Sequence, residues 1–372
     1  MRLFLALVLS VCIAVSGFTQ TGTQAAKQSE LQLSLDKKVQ RWQKVFDDVS
    51  IAVAYIENGK VSWISIYGNQ VPGGPPANDK TLYSVASLTK PITAEVILRL
   101  ASDGKLSLDE PISANWTDPD VKDNPWSRLL TARLCLSHQT GFPNWRYQTE
   151  NVLRFQWEPG TRTGYSGEGY EYVARYAEKK IGDSFEDLAK QYVFDPIGMR
   201  DTSYTPQPWW EGRLAKPFES KPRTQLNAAD LLRATVGDYA KFVVSVMHNE
   251  GVSKEIAAER FKITRNQVTP EIEAVLCEES KDPAHCKVAA GPGLGWRIVT
   301  INGETIVDHS GNDGDVKTFA FFVPRLQTGA VIFTCGNDYD FTAIERHQRV
   351  IRKIVGVLYP DRVYVETMTN IL

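Results

Sequence analysis

Cysteine is scarce. The chain holds five in 372 residues, too few for a disulfide scaffold of this size. No two cysteines stand as Cys-x-x-Cys, which argues against a zinc-ribbon or thioredoxin-type site. Histidine is equally sparse: His138, His248, His285, His309 and His347 form neither His-x-x-x-His nor His-Glu-x-x-His, so a helical zinc-hydrolase centre is not expected. A surplus of one charge is also missing. Lys and Arg number 42 against 44 Asp and Glu, a net charge of 42 − 44 = −2, which argues against nucleic-acid binding. The nearest approach to a Gly-x-Ser-x-Gly nucleophile elbow, Gly164-Tyr165-Ser166-Gly167-Glu168, fails at its last position, so an α/β-hydrolase is not expected. Beyond the first residues no apolar run has the length of a membrane span. No internal repeat or low-complexity tract is visible. The remainder, 42% hydrophobic and 23% charged, is the composition of a globular protein with one large mixed domain or two interleaved ones.

The N-terminus is the exception to this blandness. Met1-Arg2 precedes an apolar run from Leu3 to Val15, followed by Ser16 and Gly17, the layout of a secretory signal peptide over residues 1–18. Val11 before Cys12 speaks against a lipoprotein. The expectation is an exported protein, periplasmic or secreted, with no membrane span after processing. In an oxidising compartment Cys277 and Cys286, nine positions apart in a polar segment, can close a local disulfide. Cys135 and Cys335 sit in apolar runs and read as buried thiols.

Hydrophobic periodicity divides the rest. Leu31, Leu35, Val39, Trp42 and Phe46 mark an amphipathic helix. Ser50–Glu57 and Val61–Tyr67 are strand-like and are joined by Asn58-Gly59, a hairpin turn. From about residue 81 to 251 the pattern is mostly helical, with Ile92, Val96, Ile97 and Leu100 on one stripe and Val173, Tyr176, Ala177 and Ile181 on another. Residues 252–290 are charged and irregular and read as an insertion. Strands return at Trp296–Thr300, Thr305–Asp308, Val316–Val323 and Ala330–Cys335, and a last helix covers Phe341–Leu358. The expected fold class is α/β (α+β): one antiparallel sheet from both ends of the chain, flanked by terminal helices, with a large helical lobe inserted. One domain spans 30–360, with the sheet lobe at 31–80 and 291–360 and the helical lobe at 81–290. A ligand cleft belongs between lobes.

The chemistry begins at Ser87-Leu88-Thr89-Lys90. At the start of a helix, positions i and i+3 share a face, which sets an ammonium beside a hydroxyl. A desolvated lysine can take that hydroxyl's proton, and the Ser87 N–H is free to bind an oxyanion. The same spacing recurs at Ser34–Lys37, on a solvated helix face, and at Ser102–Lys105, across the helix-ending Asp103-Gly104, so context must decide. That context is Leu136-Ser137-His138-Gln139-Thr140-Gly141, then Pro159-Gly160-Thr161-Arg162 leading into Tyr165-Ser166-Gly167, then His309-Ser310-Gly311, in that order. Weaker landmarks are Lys105–Pro111, Asp195–Met199 and Gly293-Leu294-Gly295-Trp296. From about Phe46 to Leu358 the chain resembles the serine β-lactamase and penicillin-binding-protein superfamily, most closely its class C-like branch of β-lactamases, D-peptidases and carboxylesterases.

The resemblance implies roles. Ser87 is the acylated nucleophile; Lys90 and Tyr165 share general-base and proton-relay work; the N–H groups of Ser87 and Asn312 form the oxyanion hole. His309, Ser310, Gly311 and Gly167 border the substrate. No metal or organic cofactor is required. The substrate is a small ester, peptide or β-lactam. Two positions depart from the family pattern. Gly167 replaces an asparagine that touches the acyl side, and His309 replaces a lysine. Both weigh against efficient β-lactam hydrolysis and towards a carboxylic ester or a D-amino-acid peptide. The alternatives are a true β-lactamase and a non-catalytic relative that binds peptidoglycan or another envelope ligand. His138 is expected to fix the turn before Gly141. Trp145, Trp209 and Trp210 either line an acyl pocket or pack their loops. Lys317 either supplies the missing cation or is a solvated strand residue.

Overall fold

In the computed structural model the described residues are 29–46, 48–215, 225–313, 316–336 and 341–370, without the side chains of 341–347 and 369–370. The expected signal segment 1–18, with Cys12, lies outside them. So does the segment 216–224.

The Asn58-Gly59 hairpin starts the sheet. Both residues adopt positive φ, 52° and 68°, the conformation a two-residue turn needs to follow strand twist. They join β1 (Asp48–Glu57) to β2 (Lys60–Gly68). Strand β1 is buried along nearly its whole length, so both of its faces are covered. Ala52, Ala54 and Ile56 enter one core, and Ile51, Val53 and Tyr55 the other, as period-two alternation requires. Beside β1 lies β10 (Thr328–Gly336), with Ile51 opposite Thr334. The two ends of the chain therefore close on each other. Next in chain order come β3 (Tyr83–Ser84), β4 (Thr202–Ser203) and β5 (Arg233–Ala234), a small separate sheet in the order β3-β5-β4. The main sheet is completed by β6 (Val288–Pro292), β7 (Arg297–Ile301), β8 (Glu304–Asp313) and β9 (Val316–Val323). It is antiparallel in the order β2-β1-β10-β9-β8-β7-β6.

One face carries the terminal helices. Helix α1 (Glu30–Phe46) buries Leu35 and Val39 there. The other face carries the helical block: α2 (Thr89–Ser102), α3 (Gly167–Ile181) and α4 (Val236–Met247), the last lying across β1, β2 and β10. Helix α5 (Phe341–Leu358) returns to the first face, followed by α6 (Arg362–Asn370), which the sequence pattern does not announce. Every residue of α2 from Thr89 to Leu100 is buried, including Glu95, whose carboxylate pairs with Arg99 (2.9 Å) and Arg260 (3.1 Å).

One expectation needs correction. The segment 252–290 is not uniformly irregular. Helices Lys254–Glu259 and Pro270–Cys277 form within it, and its end supplies edge strand β6. Hydrophobic alternation is hidden there by Ala289, Ala290 and Gly291. The Cys277–Cys286 disulfide does form, and Cys135 and Cys335 are buried. Among the described residues no helix is long and apolar enough to cross a membrane.

Candidate active site

Ser87 lies in a tight turn, Ala86–Leu88, that runs directly into α2. Ala86 before it has φ +49°, a left-handed conformation that costs energy for a residue with a Cβ. Surrounding hydrogen bonds hold the turn in that shape. Thr89 Oγ1 donates to the Ala86 carbonyl (2.6 Å) and accepts from Leu232 N (3.1 Å). Tyr239 Oη donates to the Leu88 carbonyl (2.8 Å), and Thr318 Oγ1 on β9 donates to the Val85 carbonyl (2.7 Å). A Cβ on Gly311 of β8 would lie 2.6 Å from Val85 O and 2.2 Å from Thr318 Oγ1, so glycine alone lets the strand approach the turn this closely.

Lys90 is fully buried, one helical turn on from Ser87. Its Nζ donates to Ser87 Oγ (3.2 Å) and to the Ala229 carbonyl (2.9 Å). Aromatic faces provide the rest of its surroundings: Tyr165 with its ring centroid at 4.8 Å, Trp145 at 5.7 Å and Tyr170 at 5.8 Å. Such faces favour a cation without neutralising it. At the other Ser-x-x-Lys spacings Lys37 and Lys105 are exposed, and α2 ends at Ser102.

Tyr165 precedes α3 and is 44% exposed, open to the cleft. Ser166 caps that helix, its Oγ accepting from Gly169 N (3.1 Å) and donating to the Pro143 carbonyl (2.7 Å). His138 does more than fix a turn. Its own φ is +57°, its Nδ1 accepts from Ser166 N (3.1 Å), and its ring packs 4.4 Å from that of Tyr165. Burial and the nearby Lys90 charge hold its pKa well below the usual histidine value, so it is a neutral support for the tyrosine loop.

Gly167 has a neighbour that explains it. A Cβ there would meet the Trp145 ring at 2.6–2.9 Å. The indole occupies the space a side chain at 167 would need. The two flanking residues fix the Trp145 loop: Asn144 Oδ1 accepts from Gly167 N (2.9 Å), and Arg146 Nε donates to Glu168 (3.0 Å). Trp145 is therefore a site residue, whereas Trp210 is buried with its Nε1 bonded to Ser203 (3.0 Å) and Trp209 packs beside it.

His309, Ser310 and Gly311 lie within β8, just before β9. His309 pairs across to Ala320, and so lies on the nucleophile's side of the sheet. Its Nδ1 is 2.7 Å from the Ser310 carbonyl. A carbonyl only accepts, so Nδ1 carries the proton and Nε2 presents a lone pair. Burial and the Lys90 charge depress its pKa to about 3, leaving it neutral at pH 7. Lys317 does not replace the missing cation, and it is not solvated either. It is 6% exposed and alternates with Thr318, so it points to the opposite face; burial lowers its pKa to about 8.

These residues open on one cavity of about 430 Å³, bordered by Ser87, His138, Tyr165, His309, Ser310 and Asn312, with Lys90 behind Ser87 and Gly311 beneath. Four further residues at the site escape the sequence reading. Thr318 is visible only as a polar break in an apolar strand. Asn144 and Gln267 sit in loops without a motif. Arg297 lines the cavity but is bonded twice to Asp308 (2.6 and 2.7 Å), which also accepts from Tyr364 Oη (2.8 Å). Among the described residues no group of three His, Cys, Asp or Glu side chains is placed to hold a metal.

The fold is one already seen among solved structures. The D-alanine carboxypeptidase AmpC from Burkholderia cenocepacia superposes with a TM-score of 0.68 at 18% identity, covering 88% of this chain and 99% of that one. A family model described as Beta-lactamase matches residues 39–352, and the chain belongs to that family. Among curated relatives, the D-alanyl-D-alanine-carboxypeptidase/endopeptidase AmpH of Escherichia coli K12 is 23% identical over 295 residues, 72% of this chain and 74% of AmpH. The lovastatin esterase of Penicillium rubens is 28% identical over 167 residues, 36% of this chain and 41% of that enzyme.

Proposed function

We propose that the protein is an exported serine hydrolase that forms an acyl-enzyme on Ser87 and cleaves a carboxylic ester or amide, with esters and D-amino-acid peptides preferred over β-lactams. The observation that carries this reading is the fully buried Lys90 amino group 3.2 Å from Ser87 Oγ, in a turn held by hydrogen bonds from several sides.

In this mechanism Lys90 acts as the free amine, and its Nζ lone pair takes the Ser87 proton as Oγ attacks the acyl carbon. General-base assistance of this kind contributes about 10²–10⁴ in rate. The N–H groups of Ser87 and Asn312 receive the developing oxyanion, a further ~10²–10³. Tyr165 faces both Lys90 and the open cleft, and passes a proton to the departing alcohol or amine. Water then enters from the cleft, and the same groups run in reverse to release the acid. The preference against β-lactams rests on charge, and the same argument disfavours a peptide's free C-terminal carboxylate but not an ester or an internal D-amino-acid amide. His309 is neutral, Lys317 faces away, and Arg297 is committed to Asp308. A substrate carboxylate at this wall lacks an unpaired cation among the described residues.

The test is Ser87→Ala assayed with p-nitrophenyl butyrate, alongside fluorophosphonate labelling of the full protein. Turnover and label are both expected to vanish. Retained turnover removes Ser87 as nucleophile; a folded wild-type protein that neither turns over esters or D-alanyl peptides nor takes the label favours a non-catalytic binder.

A further inference from the structure

The wall of the cavity opposite Tyr165 is built in a way the family motifs do not describe. Residues 264–268 run along the outer edge of β6 like an added strand. Thr264 N donates to the Pro292 carbonyl (2.8 Å) and Gln267 N to the Ala290 carbonyl (2.7 Å). Asn266 Oδ1 accepts from both Val268 N (3.2 Å) and Ala290 N (3.1 Å), clamping the segment around itself. A Cβ on Gly291 would lie 2.1 Å from Arg265 O, so the close approach depends on that glycine. The effect is to hold Gln267 at the cavity, on the same wall as His309 and Ser310.

The chemistry of this wall is specific. His309 offers a lone pair at Nε2, because its Nδ1 proton is spent on the Ser310 carbonyl. Gln267 offers an amide that both donates and accepts, and Ser310 a hydroxyl that does the same. The cation present, Arg297, is matched by Asp308. The Trp145 indole, seated against Gly167 and 5.7 Å from Lys90 Nζ, lines the adjoining pocket with Trp116 and Tyr172. The wall formed by His309 and Gln267 is polar, uncharged in balance, and rich in acceptors.

Resting on the hydrolase reading above, we propose that His309 and Gln267 form a subsite for the alcohol part of the substrate, and that this part is uncharged and carries further hydroxyl groups, as in a glycerol- or sugar-type ester. A hydroxyl donates to His309 Nε2 and exchanges hydrogen bonds with the Gln267 amide. A carboxylate in the same place meets a lone pair and an already paired guanidinium.

The experiment compares kcat/KM of the full protein for three butyrate esters of similar size: glycerol monobutyrate, propyl butyrate and the butyrate ester of lactate. The expected order is glycerol over propyl over lactate, with the first ratio near tenfold, the worth of one to two net hydrogen bonds. Gln267→Ala, on the exposed edge segment, is expected to lower the glycerol-to-propyl ratio about three- to tenfold. His309→Lys is expected to raise the lactate ester above the glycerol ester. A glycerol-to-propyl ratio near one in the wild type, a preference for lactate, or a ratio indifferent to Gln267→Ala overturns the subsite. In any of these cases continued p-nitrophenyl butyrate turnover that needs Ser87 leaves the hydrolase reading standing. No ester turnover at all removes the subsite, and D-alanyl peptide turnover then decides the hydrolase reading.

Discussion

Gly167 and Trp145 occupy one space: the indole lies where any side chain at 167 would begin, 2.6 Å from a would-be Cβ. The glycine at this position is therefore one half of a pair. Restoring asparagine alone, Gly167→Asn, forces the ring out of its seat between Asn144 and Arg146. The variant is expected to lose about 1–3 kcal/mol of stability, the usual cost of overpacking, and to gain no β-lactam turnover. The double variant Trp145→Ala/Gly167→Asn relieves the clash and is expected to recover stability relative to Gly167→Asn. Thermal melts of the three proteins check this. Additive melts, with no recovery in the double variant, would show the two positions to be independent.

The nucleophile turn depends on β8 and β9 as much as on its own helix. Gly311→Ala places a methyl 2.2 Å from Thr318 Oγ1 and 2.6 Å from Val85 O, so the strand must retreat from Ser87. A shift of about 1 Å in a catalytic constellation costs about 10²-fold, and kcat/KM for p-nitrophenyl butyrate is expected to fall by that order. Thr318→Val removes the 2.7 Å bond to the Val85 carbonyl and leaves that buried oxygen one donor short, a loss of about 1–3 kcal/mol by denaturant unfolding. If Thr318→Val melts as the wild type does, the bond is not what holds the turn.

Most of this architecture is legible in the amino-acid order, for a physical reason. The Asn58-Gly59 turn, the β1 alternation and the α1 stripe are local patterns, and each dictates its element directly. The Ser87–Lys90 pairing is equally local, since four consecutive residues at a helix start can meet in only one way. What escaped reading is non-local. His138 supports Tyr165 from 27 positions away, Thr318 reaches Val85 across 233, and Trp145 fills the space above Gly167. No periodicity encodes such contacts. Strand β6 is not legible because a run with two alanines and a glycine carries almost no hydrophobic alternation, and the burial of Lys317 is not legible because a lysine in a strand is ordinarily solvated. The expected signal segment 1–18 and residues 216–224 lie outside the described residues.

Nitrocefin tests the charge argument. With His309 neutral and Arg297 held by Asp308, its turnover is expected to be at least about 10²-fold slower than that of p-nitrophenyl butyrate, the cost of about two charge-assisted hydrogen bonds left unmade. Fast nitrocefin hydrolysis, on the scale of a dedicated β-lactamase, would contradict the reading of both Gly167 and His309.

The buried histidines set the acid limb of stability. His309 is held near 3 in the folded protein, against about 6.5 in an unfolded chain. Between those values the unfolded chain binds a proton that the folded one refuses, so stability falls as pH drops from about 6.5 towards 3. His138 acts in the same direction. Glu171 opposes them: burial raises it to about 7, so from about 4.5 to 7 it favours the folded state less as pH rises. His309→Gln is expected to flatten the decline of the denaturant midpoint between pH 6.5 and 4.5. An unchanged slope would show that His309 is not held neutral by the fold.

The disulfide supports the subsite wall from behind. Cys277 closes the helix Pro270–Cys277 and Cys286 stands two residues before β6, so the bond fixes the excursion that follows Gln267. Glu273 strengthens the same junction by accepting from Val288 N (2.9 Å). A closed loop of about ten residues contributes about 2–3 kcal/mol through the unfolded chain. Cys277→Ser/Cys286→Ser is expected to lose that amount in denaturant unfolding. Because Gln267 is clamped separately through Asn266 and Ala290, the glycerol-to-propyl ratio is expected to change less than threefold in this variant. Collapse of the ratio would mean that the disulfide, rather than the Asn266 clamp, positions Gln267. A mass gain of about two hydrogens on reduction verifies the bond in the isolated protein.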